Sequence, residues 1–455
     1  MNVVCVGAGY VGTVTAAAFA VLGHSVTLID IDRNKLEAIR RGVSPIYEPY
    51  LSEIIGRCAD RSLFADSDYG KVAEAEAVFI CVGTPSKADS TADLVYVRGA
   101  AEQIGKHLDP KRYTVIVNKS TVPVGTSDLV ASILEDASGL THGVNFDVVS
   151  NPEFLREGYA VEDVFYPDRI VIGTGSDRAE NVMKALYAPL LTRASYAELG
   201  DLLPYLKTDD KKPPVWLRTT PQSSELIKYA SNAFLAVKIS YINEMARLCD
   251  ALGASVKEVA AGMGLDSRIG GKFLQVSSGW SGSCFPKDTA ELLATSRKYG
   301  CEQQVVAAAV EANFDMHLYC VQKLQARLKT MQGKRIGVLG LTFKPNTDDV
   351  RKTQASVILR KLSDMGCHVK AHDPQGMELF AKLHPDLAIE YCDTPESTTS
   401  GADAILLLTD WSLYLEMDWE NAGGAMRRRY ILDTRNALDA GRMREWGWTY
   451  EGLGI

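Results

Sequence analysis

The sequence predicts an α/β protein in which two doubly wound parallel sheets are joined by a long central helix within an all-helical middle domain. Short apolar strands alternate with helices from Asn2 to about Arg218, and the alternation resumes at about Met331. Between these regions an unbroken helical pattern runs from Pro221 to Leu252. Strands that alternate with helices are typical of parallel sheets covered on both faces. We therefore expect three domains, at residues 1–218, 219–330 and 331–455.

Composition favours a multidomain globular protein and excludes several classes. The 455 residues are 46% hydrophobic and 23% charged, which is ordinary for a folded chain too long for one core. The net charge of −8 argues against general nucleic-acid binding, which needs a basic surface. No apolar run approaches a bilayer span and no secretory signal is recognisable, so we expect a cytoplasmic protein without membrane partners. The nine scattered cysteines fit neither a disulfide framework nor a zinc site, and no metal is predicted.

The first strand leads into a glycine-rich turn. It runs from Asn2 to Gly7, continues as Gly7-Ala8-Gly9-Tyr10-Val11-Gly12 into a small-residue helix, and the next strand ends at Asp30. The glycines allow a pyrophosphate to approach the helix N-terminus, and an acid at the second strand end accepts hydrogen bonds from a ribose. This pattern predicts a Rossmann-like dinucleotide site. An acid rather than an arginine favours NAD over NADP, and Asp32 is a second candidate for that acid.

Three further apolar strands end beside polar residues that can meet a ligand. The strands are expected at 77–82, 113–118 and 146–149, and they are followed by Thr84, Thr121 and Glu153. Ligands gather at the carboxyl ends of parallel strands. Alternatively, Thr121 caps the following helix, and Glu153 is an ordinary loop glutamate. Farther on, Ala197 to Pro214 is expected to be a polar surface loop of no assigned function, with solvated charges from Asp209 to Lys212.

The central helix carries a lysine and an asparagine on one face. Thr220 is the expected cap and Pro221 the first helical residue. Lys228 and Asn232 lie four residues apart, so both can donate to one oxygen and stabilise an alkoxide or a tetrahedral oxyanion. The alternative is that both are surface residues at helical spacing.

A cysteine stands in the small-residue run Gly282-Ser283-Cys284-Phe285-Pro286-Lys287-Asp288. The surrounding segment, Ser277 to Asp288, is expected to be a loop in which a substrate can approach the thiol closely. Such a cysteine is either a nucleophile or a small buried hydrophobe.

The last domain begins with a strand at Lys334–Leu341. Its first turn, Thr342-Phe343-Lys344-Pro345-Asn346, lacks the glycine spacing for a pyrophosphate, so a different ligand is expected. Phe343 offers a stacking face, and Lys344 and Arg351 offer charge, as a nucleotide base and diphosphate require. Alternatively, Lys344 and Arg351 are ordinary surface cations.

Six runs of sequence occur in a characteristic order. They are Gly7 to Gly12 with Asp30, Ser120 to Thr126, Asn151 to Gly158, Glu225 to Phe234, Gly282 to Asp288, and Phe343 to Asp349. In order and spacing, over essentially the whole chain, they resemble the sugar-nucleotide dehydrogenases of the UDP-glucose/GDP-mannose dehydrogenase family. The resemblance implies a homodimer or higher homo-oligomer that oxidises a nucleotide-linked hexose to its uronate, with two NAD reduced and one water consumed. It favours UDP-glucose as the substrate.

The resemblance also implies residue roles. Cys284 would capture the aldehyde intermediate as a thiohemiacetal that becomes a thioester. Lys228 and Asn232 would stabilise oxyanions, and Glu153 would activate the hydrolytic water with help from Thr121 and Asp288. Further cofactor contacts would be Lys35, Thr84, Thr121, Glu157 and Arg351. Substrate contacts would be Phe154, Leu155, Glu157, Lys228, Asn232, Arg268, Phe273, Leu274, Gln275, Gly279, Phe343, Lys344 and Arg435, with Arg268 reaching a neighbouring subunit's substrate.

One departure from the family leaves the substrate open. The usual Gly-Phe-Gly-Gly-Ser-Cys reads Gly279-Trp280-Ser281-Gly282-Ser283-Cys284, so a bulkier ring and an added hydroxyl are expected beside the pocket. The same chemistry on dTDP-glucose, GDP-mannose or a UDP-N-acetyl sugar is one alternative. A single-step hydroxyacid-type dehydrogenase and an NAD-sensing or scaffolding protein are the others.

Overall fold

The computed structural model describes residues 1–206 and 211–455. Two compact units divide the chain, Met1–Ala230 and Ser231–Ile455, and the boundary between them falls inside helix α9 (Pro221–Leu252). This helix begins and ends at the predicted residues, and the Thr220 hydroxyl caps it by accepting the N–H of Ser223 at 3.2 Å. Among the described residues, no helix combines the length and apolarity needed to cross a membrane.

The first unit is built on an eight-stranded sheet. Its strands are β1 (Asn2–Val6), β2 (Ser25–Ile29), β3 (Leu63–Asp66), β4 (Ala77–Ile80), β5 (Thr114–Asn118), β6 (Phe146–Ser150), β7 (Arg169–Gly173) and β8 (Val215–Thr219). They lie in the order β3-β2-β1-β4-β5-β6-β7-β8. The predicted parallel pairing is confirmed from β3 through β6, whereas β7 meets β6 antiparallel and β8 runs parallel to β7.

Helices pack on both faces of this sheet, as the alternation predicts. They are α1 (Tyr10–Val21), α2 (Arg33–Arg40), α3 (Leu51–Cys58), α4 (Val95–His107), α5 (Thr126–Ser138), α6 (Ala160–Phe165), α7 (Asp177–Thr192) and α8 (Tyr196–Leu199), followed by the start of α9. Successive residues of β1 point to opposite faces, so that Val3 and Cys5 join one core and Val4 and Val6 join the other.

The second unit begins with a stretch that contains helices but no strand of its sheet, and continues as a parallel sheet of six strands. After α9 come α10 (Val256–Gly264), α11 (Phe285–Lys298) and α12 (Gln304–Leu328). The strands are β9 (Arg335–Leu339), β10 (His368–His372), β11 (Ile389–Tyr391), β12 (Ala404–Leu407), β13 (Tyr430–Asp433) and β14 (Thr449–Glu451), in the order β11-β10-β9-β12-β13-β14. The remaining helices are α13 (Gln354–Asp364), α14 (Met377–Leu383), α15 (Ser412–Leu415), α16 (Trp419–Ala422) and α17 (Ala440–Glu445).

The prediction of a polar surface loop from Ala197 to Pro214 is wrong in its first half. Leu199, Leu203 and Leu206 are buried in the core of the first unit, because α8 and the turns after it point these leucines inward. Lys211 forms an ion pair with Glu162 at 2.5 Å. The predicted charges at Asp209 and Asp210 lie outside the described residues.

Candidate active site

A glycine turn follows β1 and lies against the end of β4. Gly7 has φ +108°, and a Cβ there would stand 2.9 Å from the Cys81 carbonyl oxygen. A Cβ on Gly12 would stand 1.8 Å from the Gly7 carbonyl oxygen, so both positions require glycine. Gly9 faces open space, which leaves its backbone accessible to a pyrophosphate. The turn lies where β2 and β4 flank β1, the point at which doubly wound sheets bind dinucleotides.

Asp30, rather than Asp32, faces this turn. One Asp30 carboxylate oxygen accepts the N–H of Ala8 at 2.5 Å, and the other accepts the N–H of Asp32 at 2.8 Å. The side chain of Asp32 caps α2 by accepting the N–H of Asn34 at 3.0 Å. Asp32, the other candidate from the sequence, therefore serves as the N-cap of α2. The residues present fit NAD: an open glycine turn, and a carboxylate fixed at its edge.

Glu48, which sequence reasoning missed, ties the start of α1 to the segment that follows β6. The hydroxyl of Tyr10 donates to Glu48 and accepts the N–H of Gly158 at 2.8 Å. Glu48 also accepts the N–H of Ala160 at 2.6 Å. Burial raises the pKa of Glu48, and these hydrogen bonds oppose the rise. The half-buried Glu157 is held next to this anchor.

Glu153 and Lys228 form a buried ion pair within the first unit. The Lys228 Nζ lies 2.8 Å from Glu153 Oε1, and both side chains are at most 7% exposed. Glu153 Oε2 accepts the N–H of Leu155 at 2.6 Å. Burial alone would raise the pKa of Glu153, but the charge and hydrogen bond of Lys228, the Leu155 amide and the charge of Lys119 together hold it below its ordinary value. Glu153 is therefore ionised at neutral pH and able to take a proton.

The ring of Phe154 contacts two cations. The Arg169 guanidinium stacks 3.9 Å from the centroid of its ring, and Lys228 Nζ lies 5.4 Å from the same centroid. Such cation–π contacts restrict the ring. The Phe154 ring is thus next to the Lys228 amine of the ion pair.

Lys119 is a buried lysine that the sequence reading did not single out. It directly follows β5 and is 9% exposed. Its Nζ donates to Asn151 Oδ1 at 3.1 Å and to the Tyr187 hydroxyl at 3.3 Å. The only signal in the sequence is a charged residue immediately after an apolar strand.

Thr121 is not a helix cap, because α5 begins five residues later with Gly125 as its N-cap. Its carbonyl accepts the hydroxyl of Thr84 at 2.8 Å, which joins the ends of β4 and β5. The α5 N-terminus is bound instead by Glu225, which accepts the N–H of Gly125 at 2.7 Å and that of Ser127 at 2.8 Å. In the sequence, Glu225 is noted only as the first residue of the run Glu225 to Phe234.

In the second unit, Cys284 is the N-cap of α11, so the predicted loop ends at Cys284 rather than at Asp288. The thiol is half-buried, and Ser283 Oγ lies 3.7 Å from its Sγ. Asp288, 1% exposed, accepts the side-chain N–H of Asn232 at 2.6 Å and pairs with Lys287 at 2.5 Å. Asn232 is thereby held by the same helix turn that follows Cys284.

The two unusual residues before Cys284 point into the protein. Trp280 is 7% exposed, and its indole donates to Ser240 of α9 at 2.9 Å. The Ser281 hydroxyl donates to Gln354, which is 1% exposed and also donates to the Phe343 carbonyl at 3.4 Å. The Trp280 ring and the Ser281 hydroxyl therefore form hydrogen bonds to partners inside the protein.

Phe343 lies against the cysteine segment. A Cβ on Gly282, whose φ is +85°, would stand 2.9 Å from the Phe343 ring. Lys344 Nζ lies 5.2 Å from the centroid of that ring. The predicted stacking residue and the cysteine segment are thus brought together within the second unit.

The remaining expected contacts are more scattered. Three arginines pair with neighbouring acids: Arg268 with Asp266 at 2.6 Å, Arg351 with Asp349 at 2.8 Å and Arg435 with Asp410 at 2.9 Å. The Leu274 side chain belongs to the core, so it can offer a ligand only its backbone. Half-buried or exposed side chains complete the set: Val11, Lys35, Phe273 and Gln275.

Comparison with known proteins gives one family along the chain. Models of the UDP-glucose/GDP-mannose dehydrogenase family match in order: its NAD binding domain at residues 1–191, its central domain at 222–315 and its UDP binding domain at 337–440. UDP-glucose 6-dehydrogenase YwqF of Bacillus subtilis is 40% identical over 456 residues, covering 100% of this chain and 98% of that protein. UDP-glucose 6-dehydrogenase of Rhizobium meliloti is 41% identical over 460 residues, covering 100% and 99%.

Solved structures agree with this assignment. The UDP-glucose dehydrogenase of Pyrobaculum islandicum matches with a TM-score of 0.87 at 38% identity, covering 100% of this chain and 97% of that one. A UDP-D-ManNAc dehydrogenase from Pyrococcus horikoshii matches with a TM-score of 0.83 at 26% identity, covering 100% and 99%. Because the similarity extends over the whole chain at about 40% identity, this protein belongs to the UDP-glucose/GDP-mannose dehydrogenase family of NAD-dependent sugar-nucleotide dehydrogenases.

Proposed function

We propose that the protein is a UDP-glucose 6-dehydrogenase that oxidises the C6 alcohol of UDP-glucose to the carboxylate of UDP-glucuronate. The observation that carries the proposal is the full-length similarity, at 40% and 41% identity, to proteins of that name. The UDP binding domain model at residues 337–440 supports a uridine nucleotide. Bound NAD would accept a hydride from the substrate in each of two oxidations.

We propose that three residue groups carry the chemistry. Lys228 and Asn232, one turn apart on α9, donate to the substrate oxygen as charge develops on it. The Cys284 sulfur bonds to the aldehyde carbon to give a thiohemiacetal, which loses a hydride and its hydroxyl proton to become a thioester. Water then attacks the thioester, the carbon–sulfur bond breaks, and the acid and the thiol are released. Glu153 accepts the proton of that water, consistent with its ionised state beside Lys228.

We assign the domains as expected from the sequence: NAD binding at 1–218, a helical middle at 219–330 that carries Cys284, and nucleotide-sugar binding at 331–455. Phe343 and Lys344, beside Gly282, support a base and diphosphate near the cysteine segment. A homodimer is also proposed, supported by apolar residues exposed along α9.

Counting NADH tests the reaction. The expected yield is two NADH per UDP-glucose, with much lower turnover on dTDP-glucose, GDP-mannose and UDP-N-acetyl sugars. Cys284→Ala should lower NADH formation by about 1,000-fold or more, because the aldehyde is no longer captured. Cys301→Ala is the matched control, since that thiol is exposed in the second unit and has no proposed role.

Two results would contradict the proposal. One NADH per sugar, with activity retained in Cys284→Ala, would indicate a single-step hydroxyacid-type dehydrogenase. NAD binding without oxidation of any sugar nucleotide would indicate a sensing or scaffolding protein.

A further inference from the structure

Lys119, Asn151 and Tyr187 form a closed triangle of buried polar side chains in the first unit. The Lys119 Nζ donates to both partners, and the Tyr187 hydroxyl lies 2.7 Å from Asn151 Oδ1. Tyr187 is 5% exposed and Asn151 1%. A buried lysine is costly unless its charge has a use or a partner, so its presence here calls for a physical reason.

The triangle fixes the start of the segment that carries Glu153. Asn151 also donates its side-chain N–H to the Val171 carbonyl at 2.9 Å and its backbone N–H to the Asn118 carbonyl at 2.9 Å. Asn151, which makes all of these bonds, lies two residues before Glu153 in the sequence. Lys119 therefore acts on the position of Glu153 through Asn151.

Lys119 also belongs to the electrostatic surroundings of the Glu153–Lys228 pair. The titratable and charged groups that face it are Cys5 on β1, Cys81 after β4, Glu153, Lys228 on α9 and Tyr187 on α7. Burial lowers the pKa of Lys119 to about 8, Cys81 and Glu153 oppose this decrease, and Lys228 adds to it. At neutral pH the amine is therefore mostly protonated, and two cations act on one carboxylate.

We propose that Lys119 is a positioning residue for Glu153, which fixes the Glu153 segment through Asn151 and keeps the carboxylate ionised with a second positive charge. The link to catalysis rests on the proposed role of Glu153 as the base. Removal of this charge makes proton release from Glu153 harder. The acid limb of the pH profile of kcat must then move to higher pH.

A double-substitution cycle tests the electrostatic part without turnover. Melting temperatures of the full chain are measured at pH 7 for wild type, Lys119→Met, Glu153→Gln and the double variant. We expect Lys119→Met to lower the melting temperature less in the Glu153→Gln background, because the attraction to the carboxylate is already absent there. Equal losses in the two backgrounds would overturn the proposal. Lys111→Gln, at an exposed position, is the matched control and should leave the melting temperature unchanged in both backgrounds.

The pH profile of kcat with UDP-glucose tests the catalytic part. Lys119→Met and Lys119→Gln should both move the acid limb up by about one pH unit, as loss of a nearby cation does. Lys119→Arg keeps the charge and should restore the wild-type limb. A merely structural role predicts that Lys119→Gln, which can still donate to Asn151, rescues stability and leaves the limb unmoved.

The outcomes separate the two proposals. Coupling in the melting cycle, combined with no oxidation of any sugar nucleotide by wild type, supports the effect of Lys119 on Glu153 and overturns the proposed function. Oxidation of UDP-glucose with an unmoved acid limb in both uncharged variants supports the function and overturns the role of Lys119.

Discussion

Gly279 leaves no room for a side chain in the segment before Cys284. Its φ is +119°, and a Cβ there would stand 2.5 Å from His317 Nε2 and 2.8 Å from Asn313 Oδ1. Asn313 in turn accepts the N–H of Trp280 at 2.7 Å and donates to its carbonyl at 2.9 Å. The family resemblance implied a substrate contact at Gly279. Its packing against α12 is a separate reason for glycine.

We expect Gly279→Ala to destabilise the second unit by about 3 kcal/mol, from the unfavourable φ and the contact with His317. Urea or thermal unfolding measures the effect. Gly99→Ala is the matched control, because Gly99 is exposed inside α4 with nothing within 4 Å of its added Cβ. It should stabilise slightly, by about 0.5 kcal/mol. A Gly279→Ala protein as stable as Gly99→Ala would contradict this account.

His317 should make stability depend on pH. Its ring is 7% exposed, and burial lowers its pKa to about 4, below the ordinary value of 6.5. A histidine whose pKa is depressed on folding contributes stability above the unfolded pKa and loses it as pH falls from about 6.5 to 4. The loss over that range is roughly 3 kcal/mol.

The measurement is the fall in melting temperature between pH 7.5 and pH 5. Wild type should fall further than His317→Asn, which has no titrating ring at this position. His368→Asn, at an exposed position, is the control, and its melting temperature should fall by the same amount as that of wild type. Parallel pH dependence in wild type and His317→Asn would show that His317 is protonated without cost in the folded state.

At the scale of elements, the first turn of α5 depends on a side chain from α9. Glu225 is 2% exposed and accepts the N–H groups of Gly125 and Ser127 as well as the Ser127 hydroxyl at 2.7 Å. A helix N-terminus has N–H groups without partners in the helix, and burial makes their satisfaction obligatory. Glu225 supplies that satisfaction from a residue 100 positions away.

Glu225→Ala is expected to destabilise the first unit by about 3 kcal/mol, because the buried N–H of Ser127 and the part-buried N–H of Gly125 lose their acceptor. Chemical unfolding with a probe of the first unit measures this. Asp136→Asn, at an exposed position of α5, is the control and should change stability by less than about 0.5 kcal/mol. If both variants unfold at the same denaturant concentration, the capping role is wrong.

At the scale of the whole molecule, the part of α9 in the second unit presents an apolar stripe. Phe234, Tyr241 and Leu248 recur every seven residues and are 63%, 47% and 47% exposed. Seven residues are close to two helical turns, so the three side chains share one face. An exposed row of large apolar side chains is typical of a protein interface and supports the proposed homodimer.

Phe234→Asp combined with Leu248→Asp should convert the dimer to a monomer, because charges desolvated in an apolar interface are unfavourable. Light scattering after size exclusion distinguishes a mass of 49.6 kDa from twice that value. Tyr299→Asp is the control, since Tyr299 is 71% exposed and lies at the end of α11. A wild-type monomer, or a dimer that survives both charges, would contradict the proposal.

The sequence by itself determined the features whose signals are local. The glycine turn with Asp30, both ends of α9 and the two sheets follow from residue spacing, capping residues and strand–helix alternation, which act over a few positions. The leucines of α8 and of the turns after it were missed although Leu199, Leu203 and Leu206 have helical spacing, because the polar, proline-bearing residues around them dominated the pattern. The edge strands β3 and β8 were not predicted, because runs of four and five residues are too short to show a clear alternation.

Only the tertiary structure decided which buried polar groups meet. Glu48 binds Gly158 across 110 residues, Lys119 binds Tyr187 across 68, and Ser281 binds Gln354 across 73. No local pattern reveals such partners, since a buried charge is tolerated only where the fold brings a matching group to it. The chain thus specified its turns, helices and family motifs through neighbours in sequence, whereas the fold specified, through distant partners, how Glu153 and Cys284 are held.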